Sequence, residues 1–449
     1  MSIAQLDCLL AEVQAQSPVR PMGRVSDISQ NVIRVRCGGD WFMGARVRLT
    51  GSRHPGVGGE VIRLEGGTAL ILPDGPVEGL APDDPVEFLG QVGIAPHAGW
   101  IGRIVDAFGR PIDGRPLLRG PLTRSLRSTP PPPIERRRLG LRMETGSAVF
   151  NTLLPLVRGQ RIGLFAGSGV GKSTLLGHLA CNLSADVAVI ALIGERGREV
   201  REFAESVLGA AGLARSVIVA ATSDQSPMLR RQCALTAMTV AEYFRDQGRQ
   251  VLFLADSITR FAEAHREIAL AGGEAASLRG YPPSTAHEIM ALAERAGPGS
   301  ADAGDITAVM SVLVAGSDMD EPVADILRGV MDGHVVMDRS IAERGRYPAI
   351  DLLRSVSRSL PWAASAEENR LIARARQLLG AHDRVEPMIQ AGLYVAGSDP
   401  LVDEARRVWP ELDAFLAEMG GIDIASSFAR LHGILGDPAG LPPAPRPGE

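Results

Sequence analysis

The apolar residues of this chain follow three different patterns along its length. From about Gly23 to Gly90, short apolar runs (VIRVRC, ARVRLT, GEVIRLE, TALILP) are broken by clusters of Gly, Pro, Asp and Asn. Several short strands at regular spacing predict a small β-barrel or sandwich over residues 18–95. From about Leu139 the runs lengthen and alternate with helical stretches: RIGLFAG, DVAVIALIG, RSVIVAAT, VLFLADS and ITAVMSVLVAG. Near-continuous apolar strands between helices predict an α/β domain with a mostly parallel sheet covered on both faces, within residues 96–365. Residues 366–436 read as helices throughout, and 437–449 are too proline-rich and too poor in apolar residues to order themselves. At the other end, Ile3, Leu6, Leu9, Leu10 and Val13 recur at helical spacing, so residues 1–17 read as a short amphipathic helix, too short to be stable alone, that is either a docking segment for a partner or a frayed terminus.

The connection between barrel and α/β domain has its own character. Residues 99–116 (GWIGRIVDAFGRPIDGRP) are turn-rich and read as irregular. Pro130 to Pro133 and the arginines 136 to 138 follow. Four consecutive prolines make a stiff, extended connector without backbone donors.

One junction carries chemistry. Gly163 to Leu176 (GLFAGSGVGKSTLL) reads as a strand end, a glycine-rich loop and a helix start. In such a loop the backbone N–H groups cradle phosphate oxygens, and the helix adds the positive end of its dipole. Gly167, Gly169 and Gly171 permit the turns, with Ser168 and Val170 between them. Lys172 would reach the terminal phosphates and the Ser173 hydroxyl would sit on Mg²⁺, so ATP and Mg²⁺ are the expected cofactors. Ala166 stands where the strict pattern has glycine, a position that tolerates a methyl group. Lys172 is also the single lysine among 47 Lys and Arg residues. It stands where a compact ammonium on a flexible stem does what a planar guanidinium cannot.

Further candidates surround it. VLFLAD, Val251 to Asp256, describes a buried strand that delivers a carboxylate at its end, suited to the Mg²⁺ side of a phosphate site. In IGERGRE, Glu195 lies just past a very apolar strand and can polarise an attacking water, with Arg196 a γ-phosphate contact. The alternative there is a solvated, charged helix start, since Glu is favoured near a helix N-terminus. In GRYPAIDLLRSVSR, Tyr347 is a candidate to stack on adenine and Arg358 a candidate arginine finger; periodicity alone would select neither.

Taken in order, AGSGVGKST, IGERGREV, FLADSITRFAEAHREIALAGGE, RGYPPS, ERAG, GSDMDEPVAD and DRSIAERGRYPAIDLLRSVSRSLP resemble the catalytic subunit family of rotary ATP synthases. The wording is most similar to the secretion branch of that family, the flagellar type III export ATPases. The resemblance implies a RecA-like core between the barrel and the C-terminal helices, and a homohexamer with nucleotide sites at subunit interfaces. By motif position it implies that Gly167 to Thr174 bind phosphates, that Glu195 is the general base and Asp256 the Mg²⁺-side carboxylate. It further implies that Tyr347 packs on adenine and that Arg358 reaches a neighbouring subunit's nucleotide. The partners implied are stator-like and stalk-like export proteins, export substrates with their chaperones, and the membrane export gate. Injectisome ATPases share nearly every one of these motifs, and the synthase β subunit is a further alternative.

Composition narrows the field. The 449 residues carry a net charge of −5 and 4% aromatics, which disfavours a nucleic-acid motor needing a basic channel and base-stacking surfaces. No apolar run reaches membrane-spanning length and the first residues lack a signal-peptide pattern. The expected location is the cytoplasm, peripherally at the inner membrane. Four cysteines lack metal-ligand spacing and are expected as reduced thiols.

Overall fold

The structure, a computed structural model, describes residues 19–29, 32–91, 93–314 and 321–436, with Leu10 and Val13. Apart from those two residues, the expected docking segment 1–17 lies outside the described residues, as does the tail 437–449.

Six antiparallel strands close a barrel: β1 (Met22–Ile28), β2 (Ile33–Arg36), β3 (Arg46–Gly51), β4 (His54–Glu65), β5 (Thr68–Pro73) and β6 (Pro85–Gly90), in the order β1-β2-β5-β4-β3-β6. Alternation in the sequence sets which side faces in: Ile33 and Val35 are fully buried while Arg34 and Arg36 face out. Trp41, 5% exposed, joins this core with its ring 5.2 Å from that of Phe88. Closure leaves the barrel no free edge.

The central sheet comprises β7 (Arg103–Val105), β8 (Arg161–Ala166), β9 (Val187–Glu195), β10 (Ser216–Thr222), β11 (Val251–Asp256), β12 (Asp305–Leu313), β13 (Gly333–Met337) and β14 (Ile350–Ser357). Its order is β14-β13-β8-β12-β11-β9-β10-β7, parallel throughout except at β14, with a two-residue strand, Gly297–Pro298, antiparallel beside β12. Successive residues of β9 serve opposite faces. Ala188, Ile190 and Leu192 belong to one core, while Val189, Ala191 and Ile193 belong to the other. The first core also takes in the three C-terminal helices, α5 (Ala366–Gln390), α6 (Pro400–Leu416) and α7 (Ile424–Leu435), through Leu371, Ala375, Leu412 and Leu431. The helix after the glycine loop, α1 (Lys172–Asn182), contributes Leu175, Leu176 and Leu179 to that same core.

Residues 99–116 are not wholly irregular. β7 pairs in parallel with β10, Arg103 beside Val217 and Val105 beside Val219. Three residues are too few to leave a periodic signal in the sequence. The turn beyond is closed by a two-bond contact from Arg103 to Asp113 (2.6 and 2.8 Å), whose carboxyl is held well below the usual carboxylate range by that hydrogen bond.

The connector is bound to the α/β domain by charge. Arg136 donates to Glu294 at 3.1 Å and Arg137 to Asp305 at 2.7 Å. Beneath it Arg295 and Glu242, each 4% exposed, form a two-bond ion pair at 2.8 Å, and Ser128 donates to the same carboxylate at 2.7 Å. Arg295 also donates to the Leu126 carbonyl at 2.8 Å, so the pair fastens the connector to the helices beneath it. Truncating one partner strands the other charge in the interior. Arg295→Leu should therefore destabilise the protein by about 3–5 kcal/mol, read as a lower urea midpoint by circular dichroism. An unchanged midpoint would exclude this anchoring role.

Candidate active site

β8 is buried and apolar to its end, so Ala166 brings the chain to the carboxyl edge of the sheet, where the glycine loop turns into α1. Gly169 and Gly171 adopt φ of +79° and +85°, a region side-chain-bearing residues rarely occupy. Gly171 is constrained twice, because a Cβ there would lie 3.2 Å from the ring of Tyr347. Val170, 1% exposed, pins the loop to the core. Ser168, Ser173 and Thr174 are exposed and Gly167 is half-buried, so the loop and the first turn of α1 open to solvent with their unpaired N–H groups.

Lys172 enters an ion pair with Asp256 at the end of β11; the two side chains are 11% and 4% exposed. Ser311 of β12 donates to the same carboxylate oxygen at 2.8 Å. The strand order explains this meeting. β12 lies between β8 and β11, with Ser311 level with Leu164, so its hydroxyl stands between the loop strand and the aspartate.

Glu195 ends β9, the strand on the far side of β11. The ladder to β10 slips by one residue at Gly194, where φ is +69°. A Cβ on Gly194 would lie 3.3–3.4 Å from the side chains of Arg230 and Arg260, which crowd this bulge. Burial pushes the Glu195 carboxyl up to about 7, helped by the negative charge of Asp256 and by a hydrogen bond shared with Glu199. That same bond holds Glu199 below the usual carboxylate range. A carboxyl that titrates near neutrality beside a phosphate loop is suited to take a proton from water.

The loop residues Gly167 to Thr174, Asp256, Glu195 and Tyr347 therefore converge. Two candidates do not join them within the chain. Arg196 caps α2 (Gly197–Glu202) with its side chain 74% exposed and 3.5 Å from Glu199. Arg358 is exposed just beyond β14, whose antiparallel course sets Ser357 opposite Gly333, at the end of the sheet away from the loop. Three neighbours went unpredicted: Ser311, Glu199 and Arg260. Ser311 had a signal, a polar residue inside the buried run ITAVMSVLV; the other two are ordinary charges in a charged stretch. Among the described residues no group of three or more His, Cys, Asp or Glu could hold a metal, and no helix is long and apolar enough to cross a membrane.

A glycine loop against a lysine–aspartate pair at the carboxyl edge of a parallel sheet defines a phosphate-loop nucleotide-binding domain. Residues 146–357 match the family model of the ATP synthase alpha/beta nucleotide-binding domain, and residues 364–431 match the model of the type III secretion system EscN ATPase C-terminal domain. The flagellum-specific ATP synthase of Caulobacter vibrioides is 44% identical over 436 residues, covering 95% of this chain and 98% of that protein. The assembled ATPase EscN from the type III secretion system of enteropathogenic E. coli shares the fold with a TM-score of 0.86 and 35% identity, over 92% of this chain and all of that one. EscN in complex with its central stalk EscO matches at 0.84 and 36%, with the same coverage. The chain belongs to the ATP synthase alpha/beta family and, within it, to the type III export ATPases. The ATPase function and the barrel, sheet and helix order expected from the sequence agree with these relatives.

If the loop needs an ammonium and not merely a cation, Lys172→Arg should keep the contact with Asp256 and a near-native melting temperature. It should lose ATP hydrolysis by about 100-fold or more, as expected when charge stabilisation at a reacting phosphate is misplaced. Full activity in Lys172→Arg would refute the special role of lysine.

Proposed function

We propose that this chain hydrolyses Mg-ATP to drive protein export at the flagellar base, working as one subunit of a homohexameric ring. The observation that carries the hydrolysis is the geometry of the sheet edge: Lys172 of the glycine loop pairs with Asp256 at the end of β11, and Glu195 ends the neighbouring strand β9. In it, Gly167, Ser168, Gly169, Val170, Gly171, Ser173 and Thr174 line the phosphate cradle and Lys172 binds the γ-phosphate. Glu195 accepts the proton of the attacking water. Tyr347, which already lies against Gly171, packs on the base.

The residues present suit a divalent ion. Ser173 offers an exposed hydroxyl at the start of α1, and Asp256 a carboxylate nearby. Bound there, Mg²⁺ would neutralise phosphate charge and would take its remaining ligands from phosphate oxygens and water, so a cluster of protein carboxylates is unnecessary. Arg196 and Arg358 act on nucleotide only after assembly or closure, Arg358 on the neighbouring subunit's site. The outward placement of both is consistent with that role.

The flagellar assignment is supported by the flagellum-specific relative over nearly its whole length. The injectisome alternative is favoured by the C-terminal family match and the EscN structures. The stalk complex of EscN supports a stalk-like protein as a partner. The sequence motifs add stator-like proteins, substrates with their chaperones, a membrane export gate and a cytoplasmic position at the inner membrane to this reading. A nucleic-acid motor is disfavoured because Trp41, the largest aromatic of the barrel, is spent on the barrel core.

A base must be deprotonated to act, so kcat/KM should rise with pH up to a plateau above about 7, the value to which Glu195 is pushed. Glu195→Gln should cut kcat by about 100- to 10,000-fold while ATP still binds. A variant that keeps its rate and its pH profile would remove Glu195 from the mechanism. Mixed assembly of Arg358→Ala with Lys172→Ala subunits should restore part of the activity each lacks alone; no recovery despite verified mixing would rule out action across the interface.

A further inference from the structure

The segment carrying Tyr347 is gripped from the C-terminal domain. It connects a short helix, Arg339–Glu343, to β14. The Arg346 guanidinium, next to Tyr347 in the chain, folds back over its own turn. It donates to the Ile350 carbonyl at 2.9 Å and to the Pro348 carbonyl at 3.4 Å, bracing the backbone on the far side of Tyr347. Its Nε reaches across to Asp413 of α6 at 3.0 Å. The Arg346 side chain is only 9% exposed. A buried guanidinium without its carboxylate is strongly unfavourable, so the geometry of the turn depends on where α6 holds Asp413.

Two further contacts run in parallel. Arg344 pairs with Glu386 of α5 at 2.9 Å. Arg376 of α5 donates to the Leu352 and Ser355 carbonyls of β14 at 3.1 and 3.2 Å. The helices that supply these groups are themselves locked together beside the turn, with the ring of His382 on α5 stacked on Trp409 of α6 at 4.0 Å and 4°. At the other end of the turn, the Tyr347 ring rests on Gly171 of the phosphate loop while remaining 49% exposed. Contacts thus run without a gap from α6 through Asp413, Arg346 and Tyr347 to the loop.

We infer that Arg346, tethered to Asp413, is a positioning residue that sets the base-binding edge of the nucleotide site from the C-terminal domain. This rests on the reading of Tyr347 as the base contact. Arg346 touches no phosphate-binding residue, so it acts on recognition of the base through Tyr347 and leaves the phosphate cradle alone. A shift of α6 moves Asp413, releases the turn and loosens the base without disturbing Lys172.

The test compares ATP with inorganic tripolyphosphate, which has the phosphates and no base, in equilibrium competition on the full-length protein. Asp413→Asn and Arg346→Leu should each weaken ATP by about three- to thirty-fold, the range for residues that act through a coupled neighbour. Tripolyphosphate affinity and kcat at saturating ATP should stay near native, and Asp413→Glu should recover most of the ATP affinity. Equal weakening of both ligands, or a fall in kcat with KM unchanged, would overturn the inference by pointing to general damage to the domain. Tyr347→Ala separates the two layers. If it weakens ATP selectively while the Arg346 and Asp413 variants do not, the tether is refuted and the base contact stands. If Tyr347→Ala leaves ATP affinity unchanged, the base contact itself fails, and this inference with it.

Discussion

The architecture of the site follows from one electrostatic constraint, the need to hold the Lys172 ammonium in a largely buried place. Charges removed from water are costly unless opposed at short range. Asp256 provides the opposition, and Ser311 satisfies the carboxylate from the strand between them. The consequence is a fixed succession of strands, β8, β12, β11 and β9, whose ends present lysine loop, serine, aspartate and glutamate side by side. The same arrangement tunes Glu195, whose carboxyl is raised first by burial and then by the charge that neutralises Lys172. In the proposed role of Lys172, a triphosphate competes with Asp256 for the ammonium, and binding rearranges that ion pair.

The packing extends this coupling outward. The apolar face of α1 and the inner faces of α5, α6 and α7 bury residues in a single core on one side of the sheet. Dense interiors transmit displacements rather than absorb them. The C-terminal helices accordingly share a core with the sheet domain, while the barrel, with its separate core, meets the sheet domain through contacts such as the Glu60–Arg231 pair.

Much of this was legible in the sequence because the strongest signals are local. The loop, the apolar strands and the aspartate at the end of VLFLAD each lie within a dozen residues and obey simple periodicities. What escaped has no local signature. β7 is three residues long and depends on β10 for its pairing. Glu199 and Arg260 gain their importance from the bulge at Gly194, which is a property of the folded ladder. Arg346 and Asp413 are unremarkable charges in different domains, and only the packing of α6 brings them together. Arg196 and Arg358 mark another kind of limit, since both stand apart from the loop within the chain and were selected by motif rather than by any local pattern.

The lone lysine has a practical side. Every other long cationic side chain in the sequence is a guanidinium, inert to the amine-directed reagents used to map neighbours in large assemblies. Such reagents would find one side chain here, at the floor of the nucleotide loop and largely shielded by Asp256. Apart from the α-amino terminus, proximity maps built on amine cross-linking would therefore find no anchor on this subunit's surfaces, and an adduct on Lys172 would report access to the glycine loop rather than an adjoining protein.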